Sequence, residues 1–336
     1  MGVNVPKQLF KELDNNRPSE NTLYLPTDIP DDVNVFYAEV GYFMNQKTNE
    51  PVTYLAEHQL QTWYDRWISK YRMYLKSQKI GISTMILLED FHIALTRGKG
   101  KEILIISQSK DKAKDHLQDL QKMIRNSPKY HDYLLDAPKD DEQYLRDERT
   151  KVDTIYLRNP DDPKNTTKII ALGITSVGSL VSFKKVCHIH MSDITMADMV
   201  EERFQEAFGA AFSRLANTDG TMVIEAPPRG TSGPVFDIVD EMDELKKDGF
   251  TVEIEEGKEV ITPSGFLVRR FTYQVGIACG MITERFIESE RRRLGVLFAM
   301  YYMADFYTSD KAFFDKQFVK QTSDMATSIY GAFDNQ

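Results

Sequence analysis

Between Tyr71 and Asp90 the sequence reads YRMYLKSQKIGISTMILLED. A short apolar and aromatic run ends at Leu75. A tight polar segment follows from Lys76 to Thr84, and Met85-Ile86-Leu87-Leu88 opens a run that continues to Leu95. The order is strand, loop, helix. That helix is apolar on nearly every face, which marks it as a core helix. A loop in this position aims its backbone N–H groups, with the positive end of the helix dipole, at one spot. Such a spot binds phosphate.

The standard phosphate loop is G-x-x-x-x-G-K-[ST]. Gly81 and Ser83 sit where the second Gly and the hydroxyl residue belong, whereas Lys76 replaces the first Gly and Ile82 the usual Lys. On these residues alone an ordinary strand–turn–helix is an equal reading. The physical requirements can still be met. Gly81 lets backbone approach phosphate, the Ser83 hydroxyl can reach Mg²⁺, and Lys76 or Lys79 can supply a cation from the start of the loop.

The flanking chain extends the pattern. Glu57 to Trp67 reads as an amphipathic helix leading into the Tyr71 strand. Within it Gln59 reads as a surface residue, with the alternative of an amide that reads an adenine edge. After the core helix come a basic turn, Arg97 to Lys101, a continuous apolar strand, Glu102 to Ile106, and a charged helix, Lys110 to Arg125, capped by Ser107-Gln108-Ser109. Strand, loop, helix, strand, helix is the alternation of an open parallel sheet. Short strands are expected at Thr154 to Leu157 and Lys168 to Leu172, and a mobile surface loop at Gly173 to Ser182. The next apolar strand, Val186 to Met191, ends on Ser192-Asp193-Ile194. A strand ending on a carboxylate is what a Mg²⁺–nucleotide site takes from its second strand; this strand is expected beside the Tyr71 strand, with Asp193 the only carboxylate at its end. His188 and His190 share one side of it, and packing or polar contacts are favoured over a metal pair for want of a third ligand. A helix from Met199 to Leu215 precedes the strand Thr221 to Glu225. That strand runs into Ala226-Pro227-Pro228-Arg229-Gly230-Thr231-Ser232-Gly233, a loop where open α/β sheets place ligands. Val235 to Lys247 is a helix. Beyond it come strand-like runs at Phe250 to Ile254 and Phe266 to Phe271. Helices follow at Thr283 to Arg293 and about Phe298 to Phe306. Glu290 to Arg293 reads as a solvated charged face.

Composition closes off several classes. No apolar run approaches membrane-helix length, so no membrane role is expected. Cys187 and Cys279 lack metal-ligand spacing and suggest a reducing compartment. The net charge of -9 argues against sequence-independent coating of nucleic acid and leaves contact through a local basic patch.

Taken together, these stretches resemble the ATPase domain of the large terminase subunit, the DNA-packaging motor of tailed viruses. Lys76 to Ser83, KSQKIGIS, is similar to that family's deviant phosphate loop, in which the lysine has moved to the front. Gln59 falls where the family keeps its adenine-reading Gln. ILIISQSKDKA, from Ile103, matches the following strand and helix. MVIEAPPRGTSGPVF, from Met222, is similar to the coupling motif. Thr283 to Phe306 is similar to the segment that closes the domain. The resemblance covers about residues 36 to 320.

It implies an α/β fold: a P-loop, RecA-like, mostly parallel sheet flanked by helices. The expected divisions are an N-terminal arm and packing segment at 1–56, with a short helix at Lys7 to Leu13, an ATPase core at 57–248, a lid at 249–320 and a tail at 321–336. ATP and Mg²⁺ are the implied cofactors. Gln59, Lys76, Ser77, Gln78, Lys79, Ile80, Gly81, Ile82, Ser83 and Thr84 would bind nucleotide, Ser83 and Asp193 would hold the metal, and Lys76, Asp193 and Arg229 would be catalytic. Arg203 is a second candidate for an arginine acting on a neighbouring subunit. The implied partners are double-stranded DNA, a portal protein, a small terminase subunit and further copies of the chain in a ring. The implied location is the host cytoplasm.

Three departures stand out. The family's acidic strand ends in Asp-Glu, whereas this one ends in Ser192-Asp193-Ile194. Asp193 aligns with the Asp or, as preferred here on strand length, with the Glu, so that Ser192 replaces the metal-side Asp. Pro227 replaces a hydroxyl residue in the coupling loop. The family's nuclease domain would not fit in the residues that remain, so cleavage is expected on another chain or not at all. The leading expectation is a motor ATPase. The alternatives are a nucleotide-binding docking subunit with weak or no hydrolysis, and a helicase-like remodelling ATPase.

Overall fold

The computed structural model describes residues 29–41, 55–127, 129–135, 153–159, 165–176, 180, 182–196, 201–229, 233–247 and 254–306. The expected helix at Lys7 to Leu13 and the tail from Gln321 lie outside them, as does all but Ile254 of the expected strand from Phe250.

Among the described residues nine strands form one sheet: β1 Tyr71–Lys76, β2 Glu102–Ser107, β3 Leu134–Leu135, β4 Thr154–Leu157, β5 Thr167–Gly173, β6 Val186–Ser192, β7 Thr221–Ala226, β8 Glu259–Ile261 and β9 Phe266–Phe271. Their spatial order is β3-β4-β5-β2-β6-β7-β1-β9-β8. From β5 to β9 every neighbouring pair is parallel, and antiparallel strands close both edges. The central strands are buried on both faces, β6 and β7 along their whole length. This is why they read as unbroken apolar runs rather than alternating ones.

The helices are α1 Val33–Val40, α2 Glu57–Tyr64, α3 Ile82–Thr96, α4 Lys110–Arg125, α5 Glu201–Leu215, α6 Pro234–Lys247, α7 Tyr273–Ala278, α8 Glu284–Leu294 and α9 Phe298–Tyr302. One face of the sheet carries α3 and α4. There α1 adds Phe36 and Val40 to a core shared with Leu88, Phe91, Leu117 and Ile105. The opposite face carries α5 and α6, with Ala207, Ala211 and Ile238 against Leu75, Ile189 and Met222. Each fully buried Leu or Ile contributes about 1.5–3 kcal/mol. Two buried ion pairs add direction. Arg72 on β1 grips Glu89 on α3, and Arg269 on β9 grips Asp65 just after α2 through two hydrogen bonds of 2.7 Å. The first ties β1 to the helix that follows it, and the second ties β9 to the end of α2.

The structure departs from two expectations. The residues from 249 onward do not all stand apart as a lid, because β8 and β9 extend the main sheet and β9 pairs directly with β1. The strand that ends on Ser192 is not beside the phosphate-loop strand either, because β7 lies between them.

Candidate active site

The carboxyl ends of β2, β6, β7 and β1 open on one cleft of about 480 Å³, lined among others by Gln78, Ser107, His116, Asp193, Pro227 and Arg293. The chain leaves β1 at Lys76 and enters α3 at Ile82 by way of the predicted loop. Ile80 and Ile82 turn their side chains into a core with Tyr74, Ile86, Phe271 and Phe298, which leaves only their backbone for ligands. From behind, α2 ties the loop down. His58 Nε2 lies 2.7 Å from the Ile80 carbonyl, and Gln59 Nε2 donates to the Gly81 carbonyl at 3.2 Å. Burial holds His58 below its usual pKa, so it donates as a neutral imidazole.

In a planar trans peptide the N–H points opposite the preceding C=O. Tying the carbonyls of Ile80 and Gly81 back to α2 therefore turns the N–H groups of Gly81 and Ile82 forward. The first turn of α3 adds N–H groups with no intrahelical partner. Gly81 has φ +78, and a Cβ there would lie 2.7 Å from Gln59 Nε2. The loop thus needs glycine at this position.

Gln59 is buried rather than on the surface. Its Oε1 accepts from the Ala56 N–H while its Nε2 holds Gly81, so the amide is engaged with the loop's own backbone. Lys76 is buried at the end of β1, with Nζ 2.8 Å from Glu225 Oε2 and 3.4 Å from Asp193 Oδ1. Lys79 faces the other way, with Nζ 4.6 Å above the ring of Phe286 on α8. Of the two candidate lysines, Lys76 is the one paired with carboxylates, the buried Glu225 and the cleft-lining Asp193. The loop also leans on the C-terminal helices, since the Gln78 N–H donates to the Tyr301 carbonyl at 2.9 Å. Ser83 and Thr84 stand in the first turn of α3, where a hydroxyl can take a metal ligand position.

Asp193 follows β6 with φ +50, its N–H donating to the Glu225 carbonyl at 2.8 Å and its carboxylate partly exposed toward the cleft. Ser192 is buried, and its hydroxyl reaches both Glu225 Oε1 and His116 Nε2. Burial, followed by the neighbouring His190, lowers the His116 pKa to about 4. Below this rung, Asp90 on α3 sits between His188 and His190 at 3.0 and 2.7 Å. Burial alone would raise the Asp90 carboxyl. The two imidazoles overcome it and bring it down to about 2. The two histidines thus make the polar contacts expected of them. Among the described residues no group of three or more His, Cys, Asp or Glu is arranged to hold a metal ion by itself.

Arg229 is exposed just after β7 and is not among the residues lining the cleft; the side chain of Arg203 lies outside the described residues. Arg293, which reads from sequence as part of a solvated face, does line the cleft and pairs with Glu290. Two site residues were missed entirely, His116 and Glu225. Glu225 had a visible signal, a lone charge near the end of an otherwise apolar strand.

A glycine loop with a buried lysine, a hydroxyl in the first turn of the next helix and two carboxylates is a donor set that suits a Mg²⁺–nucleoside triphosphate. No family model and no curated protein matches the sequence. Solved structures do. The ATPase domain of the Thermus phage P74-26 large terminase superposes with a TM-score of 0.53 at 15% identity, over 76% of this chain and 94% of that one. The large terminase of a thermophilic bacteriophage, solved in complex with ADP, gives 0.51 at 13% identity, over 75% of this chain and 53% of that one. The HK97 bacteriophage large terminase gives 0.54 at 11% identity, over 80% and 54%. The chain therefore spans about half the length of these last two proteins. At these identities the likeness establishes the fold, which is that of the phage large terminase ATPase domain.

Proposed function

We propose that this chain is the ATPase motor of a viral large terminase and couples ATP hydrolysis to translocation of double-stranded DNA into a procapsid in the host cytoplasm. The observation that carries the reading is Lys76, a buried lysine at the start of the loop after β1, facing one carboxylate on β7 and another just after β6. In this reading the forward N–H groups of Gly81 and Ile82 hold the β- and γ-phosphates. Lys76 leaves its carboxylates to neutralise the same oxygens, and the Ser83 hydroxyl faces the metal. Mg²⁺, when bound, neutralises charge developing on the transferred phosphoryl group. Asp193, partly exposed at the mouth, orients the attacking water. Motion then passes to the loop after β7 and to α8 and α9, which already touch the phosphate loop through Lys79–Phe286 and Gln78–Tyr301. A neighbouring copy in a ring would receive Arg229. A portal protein and a small terminase subunit complete the partner set.

Ser192, where the acidic strand should end on a carboxylate, favours a second reading: a docking subunit that binds nucleotide without turning it over. Steady-state ATP hydrolysis, with and without duplex DNA, decides between them. DNA-stimulated turnover supports the motor. Tight ATP binding with no turnover under any DNA condition supports the docking subunit.

A further inference from the structure

The strand between the phosphate loop and the Ser192 strand carries a carboxylate of its own. Glu225 is fully buried on β7, in register with Ser192 on one side and with Tyr74 on the other. Its Oε1 accepts from the Ser192 hydroxyl at 2.5 Å, and its Oε2 lies 2.8 Å from Lys76 Nζ. Neighbouring strands are about 4.8 Å apart, and a glutamate reaches one methylene further than an aspartate. A carboxylate rooted on β7 and leaning on Ser192 therefore comes close to where an aspartate at 192 would present its own.

We propose that Glu225 is the metal-side carboxylate of this site, taking over from the residue that Ser192 replaces, and that it binds the divalent cation of a Mg²⁺–nucleoside triphosphate directly or through one of its waters. The inference rests on the nucleotide reading above. Its logic is charge balance. A buried carboxylate is costly without a cation, and Glu225 has Lys76. A triphosphate that recruits Lys76 withdraws that cation, and Glu225 Oε2 then needs another. His190 Nε2, 3.6 Å away, faces Oε1 and not Oε2, so the ion carried by the same phosphates is the replacement on that side. Lys76 and the metal are thus alternative partners for one oxygen. Ser192 steadies the other oxygen, so the carboxylate keeps its orientation through the exchange. The two acids then divide the work by environment: the buried Glu225 serves the metal, and the partly exposed Asp193 is left for water.

The test is calorimetric titration of the full chain with ATP, in Mg²⁺ and in EDTA, for wild type, Glu225→Gln and Asp193→Asn. Wild type is expected to gain about tenfold or more in affinity from Mg²⁺. Glu225→Gln should lose that gain with its metal-free affinity at or above the wild-type value, and Asp193→Asn should keep it. Adding Ser192→Asp to Glu225→Gln should restore it. A Glu225→Gln protein that retains the full Mg²⁺ gain, or loses affinity equally in both buffers, overturns the assignment and leaves the nucleotide site standing. A wild-type chain that binds no ATP in either buffer removes both. If Glu225→Gln does not fold, Glu225→Asp replaces it. A reduced Mg²⁺ gain then supports the proposal, and an unchanged gain overturns it.

Discussion

The Gln59 side chain donates to the Gly81 carbonyl at 3.2 Å, and a Cβ on Gly81 would meet that same nitrogen at 2.7 Å. The pair sets both the height of the phosphate loop and the residue that can sit in it. Gly81→Ala is expected to destabilise the protein by about 1–3 kcal/mol, because it adds a left-handed alanine to a crowded contact. It should also weaken ATP binding. Gln59→Ala removes the contact together with the two hydrogen bonds of its amide, so it is the reference for the comparison. In urea denaturation Gly81→Ala should cost less in a Gln59→Ala background than in wild type, the remainder being backbone strain. No remaining cost in that background would mean that φ at Gly81 carries none.

Lys76→Ala should abolish ATP binding. It should also destabilise the fold by about 3–5 kcal/mol, since it leaves Glu225 buried without its cation. Lys76→Ala with Glu225→Gln should be more stable than Lys76→Ala alone, and thermal melts of the cycle measure the difference. Lys79→Ala is the contrast. Its ammonium rests on Phe286, a contact that contributes about 0.5–1 kcal/mol, and ATP affinity should hold within a few-fold. Loss of binding on Lys79→Ala with retention on Lys76→Ala would move the phosphate-loop cation by three residues.

Asp193→Asn keeps a residue type that tolerates the left-handed backbone found there. ATP affinity should stay within about tenfold of wild type. Turnover should fall on the order of 10² or more if a water-orienting group is lost. A loss of Mg²⁺-dependent binding with a proportionate loss of rate would instead make Asp193 the metal ligand.

Acid should weaken the fold well before carboxylates titrate. His116 is lowered to about 4 by burial and then by the neighbouring His190, and burial also lowers His58 and His92. A histidine kept neutral in the folded state binds fewer protons than in the unfolded one. Stability therefore falls as pH drops below the unfolded value near 6.5, and for His116 the fall continues to about 4. The His116 share is on the order of 3 kcal/mol. Asp90 acts in a separate window. Its stabilisation is present above the ordinary carboxylate value and is lost as pH falls toward 2. Melting temperatures of wild type and His116→Gln between pH 7 and 4 should converge on acidification; parallel curves would refute the assignment.

The parts of the site carried by local sequence were legible. Tyr71 to Leu95 announced strand, loop and buried helix because each signal lies within a few residues of the next. The apolar runs of β2, β6 and β7 announced strands for the same reason. What was not legible depends on strand order. Asp193 is the sole carboxylate expected next to the phosphate loop only if β6 neighbours β1. Nothing in the local pattern of Thr221 to Ala226 says that β7 inserts between them and brings Glu225 to Lys76. Likewise Arg293 reads as one charge among several on α8, and only packing of that helix over the loop turns it toward the cleft.

Because β1 is flanked by β7 and β9, the phosphate loop is finished late in the life of the chain. The Ser69 hydroxyl, just ahead of β1, donates to the Gly265 carbonyl, 196 residues further on. At ribosomal speeds of about 5–20 residues per second, the Lys76 strand waits roughly 10–40 s for its last neighbour to be made. Until then its edge is open and Arg72, Tyr74 and Lys76 lack their final surroundings. A nascent chain truncated before Phe266 should hold no ATP, so nucleotide capture is a property of the completed sheet rather than of the loop that first announces it.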